Sequence, residues 1–167
     1  RLAADVQPAP DAVALVRQLR DQGRRLGILT RNLQVVARST LSCLGILDCF
    51  APEDVLGREE AEPKPSPDGI HQLLDRWQLT PDEAVMVGDF RFDLEAGRAA
   101  GSRTCLILPD NPWPDLVDWH FEGVSFWDTA NDWLQLTSPD TYVVGSAFET
   151  GHLVNGGEVE IDFMFYI

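Results

Sequence analysis

The sequence predicts an α/β fold, a Rossmann-like parallel sheet flanked by helices, with a β-rich tail at its C-terminal end. Short apolar runs of strand length alternate with stretches whose apolar residues recur at three-and-four spacing as far as residue 108, the rhythm of a parallel sheet covered by helices. Two of these runs, Leu26 to Leu29 and Ala84 to Val87, stop abruptly at polar residues placed just before a helical pattern. Past residue 138 the rhythm changes to Val-, Ile-, Phe- and Tyr-rich segments separated by glycine turns.

Residues 1–9 lack a pattern and end at a Pro-rich entry, so the core is expected over residues 10–137 and the tail over 138–167. Pro10 and Asp11 open a first helix, with Ala12, Leu15, Val16 and Leu19 on one face and Gly23 as its stop. Leu26 to Leu29 is a buried strand, ended by Thr30-Arg31-Asn32. A second helix carries Leu33, Val36, Ala37, Thr40, Leu41 and Leu44 before Gly45. Asp54 to Gly57 reads as an outer strand, and the polar, Pro-rich loop after it holds Lys64. Ser66-Pro67-Asp68 starts a third helix with Ile70, Leu73, Leu74 and Trp77 as its apolar stripe.

The strand from Ala84 to Val87 breaks at Gly88 into Asp89-Phe90-Arg91-Phe92-Asp93, and Ala96, Gly97 and Ala100 continue as a helix stopped by Gly101. Thr104 to Leu108 is one more strand. A short helix is expected around Leu116 to Trp119 and another over Phe126 to Leu136. In the tail, Thr150-Gly151 and Asn155-Gly156-Gly157 read as turns, and Glu158 to Ile167 alternates as a strand of a hairpin.

Composition narrows the partners. With 167 residues the chain can bury a real core. No apolar run approaches the roughly 20 residues of a membrane helix, and the mean hydropathy is −0.13. Thirteen basic residues against 27 acidic give a formal charge of −14, with no local basic cluster, which argues against nucleic acid or an anionic membrane as partner. Cys43, Cys49 and Cys105 are an odd number without CxxC spacing and lie in or beside apolar segments, as reduced core thiols of a cytoplasmic protein would. Oligomeric state is not legible.

Three strand ends or loops offer a hydroxyl (Thr30), an ammonium (Lys64) and two carboxylates (Asp89, Asp93). If the strands are parallel, all lie on one edge of the sheet, where ligands of such folds bind. Hard oxygen ligands there suit Mg²⁺, and the whole set suits a phosphoryl group: a hydroxyl and backbone N–H groups for its oxygens, a lysine to neutralise it, a cation to bridge it to carboxylates. Each residue also has a plainer reading. Asp89 and Thr30 could simply cap the following helices, and Lys64 could be a solvated loop lysine.

Read together, Leu26-Gly27-Ile28-Leu29-Thr30-Arg31-Asn32, Lys64-Pro65-Ser66-Pro67 and Gly88-Asp89-Phe90-Arg91-Phe92-Asp93 with the following Ala96-Gly97-Arg98-Ala99-Ala100-Gly101 resemble the haloacid dehalogenase-like hydrolase superfamily, in particular its phosphoglycolate-phosphatase-like members, over roughly residues 8 to 120. The resemblance implies Mg²⁺-dependent hydrolysis of a small phosphorylated metabolite through an aspartyl-phosphate. Thr30, with Arg31 and Asn32, would bind the phosphoryl oxygens, Lys64 would steady nucleophile and phosphate, and Asp89 and Asp93 would hold Mg²⁺.

The departure is equally specific. The family's first strand ends in Asp-x-Asp-Gly-Thr, which supplies nucleophile and general acid, and no such motif occurs in this sequence. Glu160-Ile161-Asp162 is the nearest approach, at the wrong end of the chain and without the Gly-Thr. On this resemblance the chain is expected to be the C-terminal part of a longer enzyme lacking the first strand and most of the cap, with residues 1–9 a remnant of cap and linker. It is then expected to be inactive, and the C-terminal apolar run is expected to fill the vacant centre of the sheet. The alternative is a non-catalytic Mg²⁺- and phosphate-binding regulatory domain. A receiver-type signalling domain fits less well, because there the acids come first in the chain and the lysine last.

Overall fold

The structure, a computed structural model, describes residues 12–107 and 112–121 together with the strand segments 151–152, 158–159 and 163–165. Helix α1 (Ala12–Asp21) buries Ala12, Leu15, Val16 and Leu19, the face its spacing predicts. Strand β1 (Leu26–Leu29) is buried at every position and leads to α2 (Gln34–Cys43). Strand β2 (Val55–Leu56) pairs parallel to β1 and forms one edge of the sheet. Helix α3 (Asp68–Trp77), strand β3 (Val85–Gly88), helix α4 (Arg91–Ala100) and strand β4 (Arg103–Ile107) follow the expected alternation. Gly101 ends α4 at φ 78°, a left-handed conformation that glycine adopts without a Cβ clash.

The neighbourhood of Leu116 to Trp119 differs from the expected helix. Only Pro114–Leu116 makes a single 3-10 turn, and β5 (Trp119–Phe121) is a strand, parallel to β4 with Cys105 opposite Trp119. The cause is tertiary: the Thr104 N–H donates to Asp118 Oδ2 at 2.7 Å and the Asp118 N–H to the Thr104 carbonyl at 2.9 Å, so the chain is drawn alongside β4. The helix expected over Phe126 to Leu136 and the strand over Thr141 to Phe148 lie outside the described residues.

Of the tail, three short strand segments are described. Strands β6 (Gly151–His152) and β7 (Glu158–Val159) form a separate antiparallel pair, so Gly151 belongs to a strand rather than to a turn. Strand β8 (Phe163–Phe165) enters the main sheet, whose order is β2-β1-β8-β3-β4-β5. It lies between β1 and β3, in the place the sequence reading left vacant, and runs antiparallel to both. Its backbone thereby meets N–H and C=O groups of β1 and β3 that would otherwise face an open slot. Phe-Met-Phe is apolar at every position.

The core gathers Ile28, Leu29, Leu41, Ile70, Leu73 and Met86, all fully buried. At about 1.5–3 kcal/mol for each large apolar side chain removed from water, this layer is what holds the strand ends in register. Helix α3 packs on β1, and α4 packs on β3 and β4. The α4 contact is close, because a Cβ on Gly97 would sit 2.6 Å from the Thr104 methyl and 2.8 Å from Met86 Cβ. Among the described residues no helix is long and apolar enough to cross a membrane. Cys49 and Cys105 are buried free thiols, whereas Cys43 is exposed, so the core reading fails for that one cysteine. It sits at the last position of α2, off the apolar stripe of Ala37, Thr40 and Leu41.

Candidate functional site

Strands β1 and β3 run parallel to their neighbours β2 and β4 and end on the same edge of the sheet, at Thr30 and Asp89. The local structure at Thr30 is fixed from two sides. Its N–H donates to the Leu56 carbonyl at 2.9 Å, continuing the β1–β2 ladder, and its Oγ1 accepts the Asn32 N–H at 3.1 Å. Thr30 is buried and does not cap α2, whose N-cap position is Leu33. The turn is pressed against the loop leaving β2. Gln34 Nε2 donates to the Val55 carbonyl at 2.7 Å, and the Arg58 N–H donates to the Asn32 carbonyl at 3.0 Å.

That loop delivers Lys64. A lysine in a Pro-rich polar loop is ordinarily solvated, yet this one is 2% exposed. Its Nζ donates to Asp93 Oδ1 at 2.5 Å, with both side chains essentially removed from water. The peptide bond from Lys64 to Pro65 is cis.

Asp93 holds the start of α4 as well. Its Oδ2 accepts the Phe90 N–H at 3.0 Å, and its own N–H donates to the Phe90 carbonyl at 3.1 Å. This satisfies a donor that the helix start leaves without an intrahelical partner. Phe90, not Asp89, occupies the N-cap position of α4. Gly88 makes the arrangement possible: a Cβ there would lie 2.2 Å from Asp93 Cβ and 2.3 Å from its Oδ2.

The two carboxylates of the motif are therefore unequal. Asp93 is fully buried and is the counterion of Lys64, a partner from outside the motif. Arg91, the one basic residue within the motif, pairs with Glu95 at 2.6 Å. Asp89 is half-buried at the end of β3.

A second contact ties the β1 turn to the same helix start. The Arg31 guanidinium lies over the Phe92 ring, 4.9 Å from its centroid. Thus Lys64–Asp93 joins the loop after β2 to α4, and Arg31–Phe92 joins the loop after β1 to α4. Thr30 and Asp89 thus end their strands on one edge of the sheet, and Lys64 and Arg31 reach the start of α4 on that edge.

The sequence did not reveal the Lys64–Asp93 pair or the Arg31–Phe92 contact. The only signal for the first was a lone lysine in an acidic stretch; nothing in the spacing pointed to the second. Among the described residues no cluster of three or more His, Cys, Asp or Glu side chains could hold a metal ion. Mg²⁺ needs fewer protein ligands than that, because it commonly keeps several waters and takes one or two carboxylates plus phosphate oxygens. Asp89, half-buried at the end of β3, fits that demand as such a carboxylate, whereas both oxygens of Asp93 are already engaged by Lys64 and the Phe90 N–H. Elsewhere, an open depression of about 460 Å³ lined in part by Arg38, Ser42, Asp48 and Phe50 sits at the C-terminal end of α2, away from the strand ends that carry these groups.

Comparison with known proteins gives a consistent picture. A family model described as haloacid dehalogenase-like hydrolase matches residues 1–101. The chain is 39% identical over 93 residues to a phosphoglycolate phosphatase of Rhodospirillum rubrum, which covers 55% of this chain and 38% of that protein. It is 30% identical over 105 residues to a phosphoglycolate phosphatase of Aquifex aeolicus, covering 61% of this chain and 47% of the relative. With the pyrophosphatase PpaX of Bacillus velezensis the identity is 36% over 87 residues, 52% of this chain and 40% of the relative. The chain thus spans less than half the length of each of these relatives.

In fold, it is similar to a solved hydrolase of the same superfamily from Ehrlichia chaffeensis, with a TM-score of 0.60 at 21% identity, covering 75% of this chain and 57% of that one. A Deinococcus radiodurans family hydrolase, solved with bound phosphate and sodium, has a TM-score of 0.58 at 20% identity, covering 68% and 54% of the two chains.

Proposed function

Since the chain belongs to the haloacid dehalogenase-like hydrolase family, we propose that its Thr30–Lys64–Asp89 edge is the phosphate- and Mg²⁺-binding half of a phosphatase site for a small phosphorylated metabolite. The observation that carries this reading is the buried Lys64, held 2.5 Å from Asp93 at the start of α4. A lysine removed from water and fixed by one carboxylate beside a second, more open one is suited to meeting an anion that arrives with a cation. Mere surface charge would need no such burial.

In this reading Thr30 Oγ1 and the N–H groups of the Arg31–Asn32 turn hold phosphoryl oxygens, and Lys64 neutralises their charge. Asp89 is the carboxylate that would hold Mg²⁺, with Asp93 as second acid and as the group that positions Lys64. Bound there, the metal would supply charge neutralisation of the phosphoryl group. The net charge of −14 makes such local positive elements necessary for an anionic ligand to approach. A metabolite of this kind and the free thiols are consistent with work in the cytoplasm.

The sequence contains no Asp-x-Asp-Gly-Thr. A covalent aspartyl intermediate needs that nucleophile, and Thr30, Lys64 and Asp89 cannot replace it. We therefore expect no turnover from this chain by itself. The test is incubation of the pure chain with a generic phosphate ester and Mg²⁺: release of phosphate at the background rate is expected, and robust Mg²⁺-dependent release would overturn the statement. The second reading, a regulatory domain that binds Mg²⁺ and phosphate without catalysis, is favoured by the central place of β8, which completes the sheet with the chain's own C-terminal strand. Its signature is phosphate binding with no product formed even when a segment carrying Asp-x-Asp-Gly-Thr is supplied in trans, whereas the half-site reading expects that segment to restore turnover.

A further inference from the structure

Large apolar side chains are exposed at only two places among the described residues, Val35 in the first turn of α2 and Phe90 directly after Asp89. Both belong to the edge that carries Thr30 and Asp89. Phe90 is 43% exposed. Its ring meets Phe92 at 5.2 Å and 74°, and Trp113, from the segment following β4, at 6.1 Å and 71°. Both contacts are edge-to-face, a favourable packing geometry that still leaves the Phe90 ring partly open to solvent. Beside it, the exposed Arg31 guanidinium lies over Phe92. Aromatic rings from two segments and a cation from a third thus converge next to the carboxylate at the end of β3.

We propose that Phe90, Phe92 and Trp113, with Arg31 laid over Phe92, form a leaving-group subsite that selects phosphate monoesters carrying a flat aromatic group. The proposal rests on the phosphate-binding reading of Thr30, Lys64 and Asp89, because the organic group of an ester held there must project toward this cluster. Two features favour a ligand over a covering protein surface. An anionic aromatic ester offers a π face to the rings and negative charge to the guanidinium. An apolar protein segment would instead take the exposed Arg31 charge out of water with nothing to compensate it. The chain is strongly acidic overall, so a cation kept at an aromatic rim is matched to an anion.

The experiment is titration calorimetry of the full chain with phenyl phosphate, ethyl phosphate and inorganic phosphate, each in the presence of Mg²⁺, repeated on Phe90→Ala. Phenyl phosphate is expected to bind roughly tenfold tighter than ethyl phosphate, the size of one good aromatic contact. Phe90→Ala should remove most of that preference and leave the affinity for inorganic phosphate unchanged. Phe90→Leu, which keeps apolar bulk without a ring, should also lose the preference, and it serves if the alanine variant folds poorly. Equal affinities for phenyl and ethyl phosphate, with inorganic phosphate still bound, would overturn the subsite and leave the phosphate reading standing. Failure of all three ligands to bind would overturn the phosphate reading and the subsite with it.

Discussion

Lys64 and Asp93 are the pair on which the candidate site is built, and a double-mutant cycle tests them. The ammonium and carboxylate lie 2.5 Å apart with side-chain exposures of 0% and 1%, so neither charge has water to fall back on when the other is removed. Lys64→Met leaves the Asp93 carboxylate buried without this ammonium. Asp93→Asn takes the countercharge from Lys64 while keeping an oxygen for the Phe90 N–H. Breaking a buried pair from one side costs about 3–5 kcal/mol, a large share of the roughly 5–15 kcal/mol that stabilises a domain. With a urea m-value near 2 kcal/mol/M, each single variant should lower the midpoint of the circular-dichroism transition by about 1.5–2.5 M. The double variant removes both charges together and should be less destabilised than the sum of the singles by about 2 kcal/mol. Single losses below about 1 kcal/mol, or strict additivity, would refute the placement of a tightly coupled buried pair at this position.

Gly88→Ala places a methyl group 2.2 Å from Asp93 Cβ; thermal or urea unfolding should show a loss of about 2 kcal/mol or more, and a neutral result would mean α4 starts farther from β3. Mg²⁺ should raise the melting temperature of the chain, and Asp89→Asn should abolish that rise while folding normally; an unchanged rise would remove Asp89 from the metal site. Asp54 gives a pH prediction. Burial pushes its carboxyl above the usual range, against the lowering effect of hydrogen bonds from Trp77 Nε1 at 2.7 Å and from Arg76. A raised value in the folded state means the folded chain takes up this proton first. The carboxyl's contribution to stability is therefore most favourable at low pH and is lost as pH rises through the folded value. Urea unfolding should show the native chain gaining stability relative to Asp54→Asn as pH falls from neutral through the carboxylate range; a relative loss would mean that the ionised form is the favoured one.

Much of the scaffold was legible because its signals are local. Leu26 to Leu29 and Val85 to Gly88 are apolar runs bounded by breakers, and Leu15, Val16 and Leu19, or Ile70, Leu73 and Trp77, repeat at helical spacing on the faces they bury. The strand ends at Thr30 and Asp89 were legible for the same reason.

What escaped was set by distant partners. Lys64 and Asp93 are 29 positions apart, and nothing near Lys64 distinguishes it from a solvated loop lysine. Trp119–Phe121 is a strand because β4 lies alongside it; three residues carry too little pattern to say so alone. The expected place of the C-terminal run in the sheet matches that of Phe163–Phe165. Its direction was not legible, because an alternating strand reads the same both ways and only pairing such as Leu26 with Phe165 and Ile28 with Phe163 fixes it. The aromatic contacts at Phe90 were hidden for the same reason, since Trp113 lies 23 positions away and no local spacing says which rings meet.

The most direct test of the account is a backbone amide NMR titration of the chain with inorganic phosphate in the presence of Mg²⁺. The account predicts saturable shifts concentrated at Thr30, Arg31, Asn32 and Lys64 and from Gly88 to Asp93, with the depression around Arg38 and Ser42 unmoved. Shifts centred on that depression, or no saturable shift at all, would contradict it.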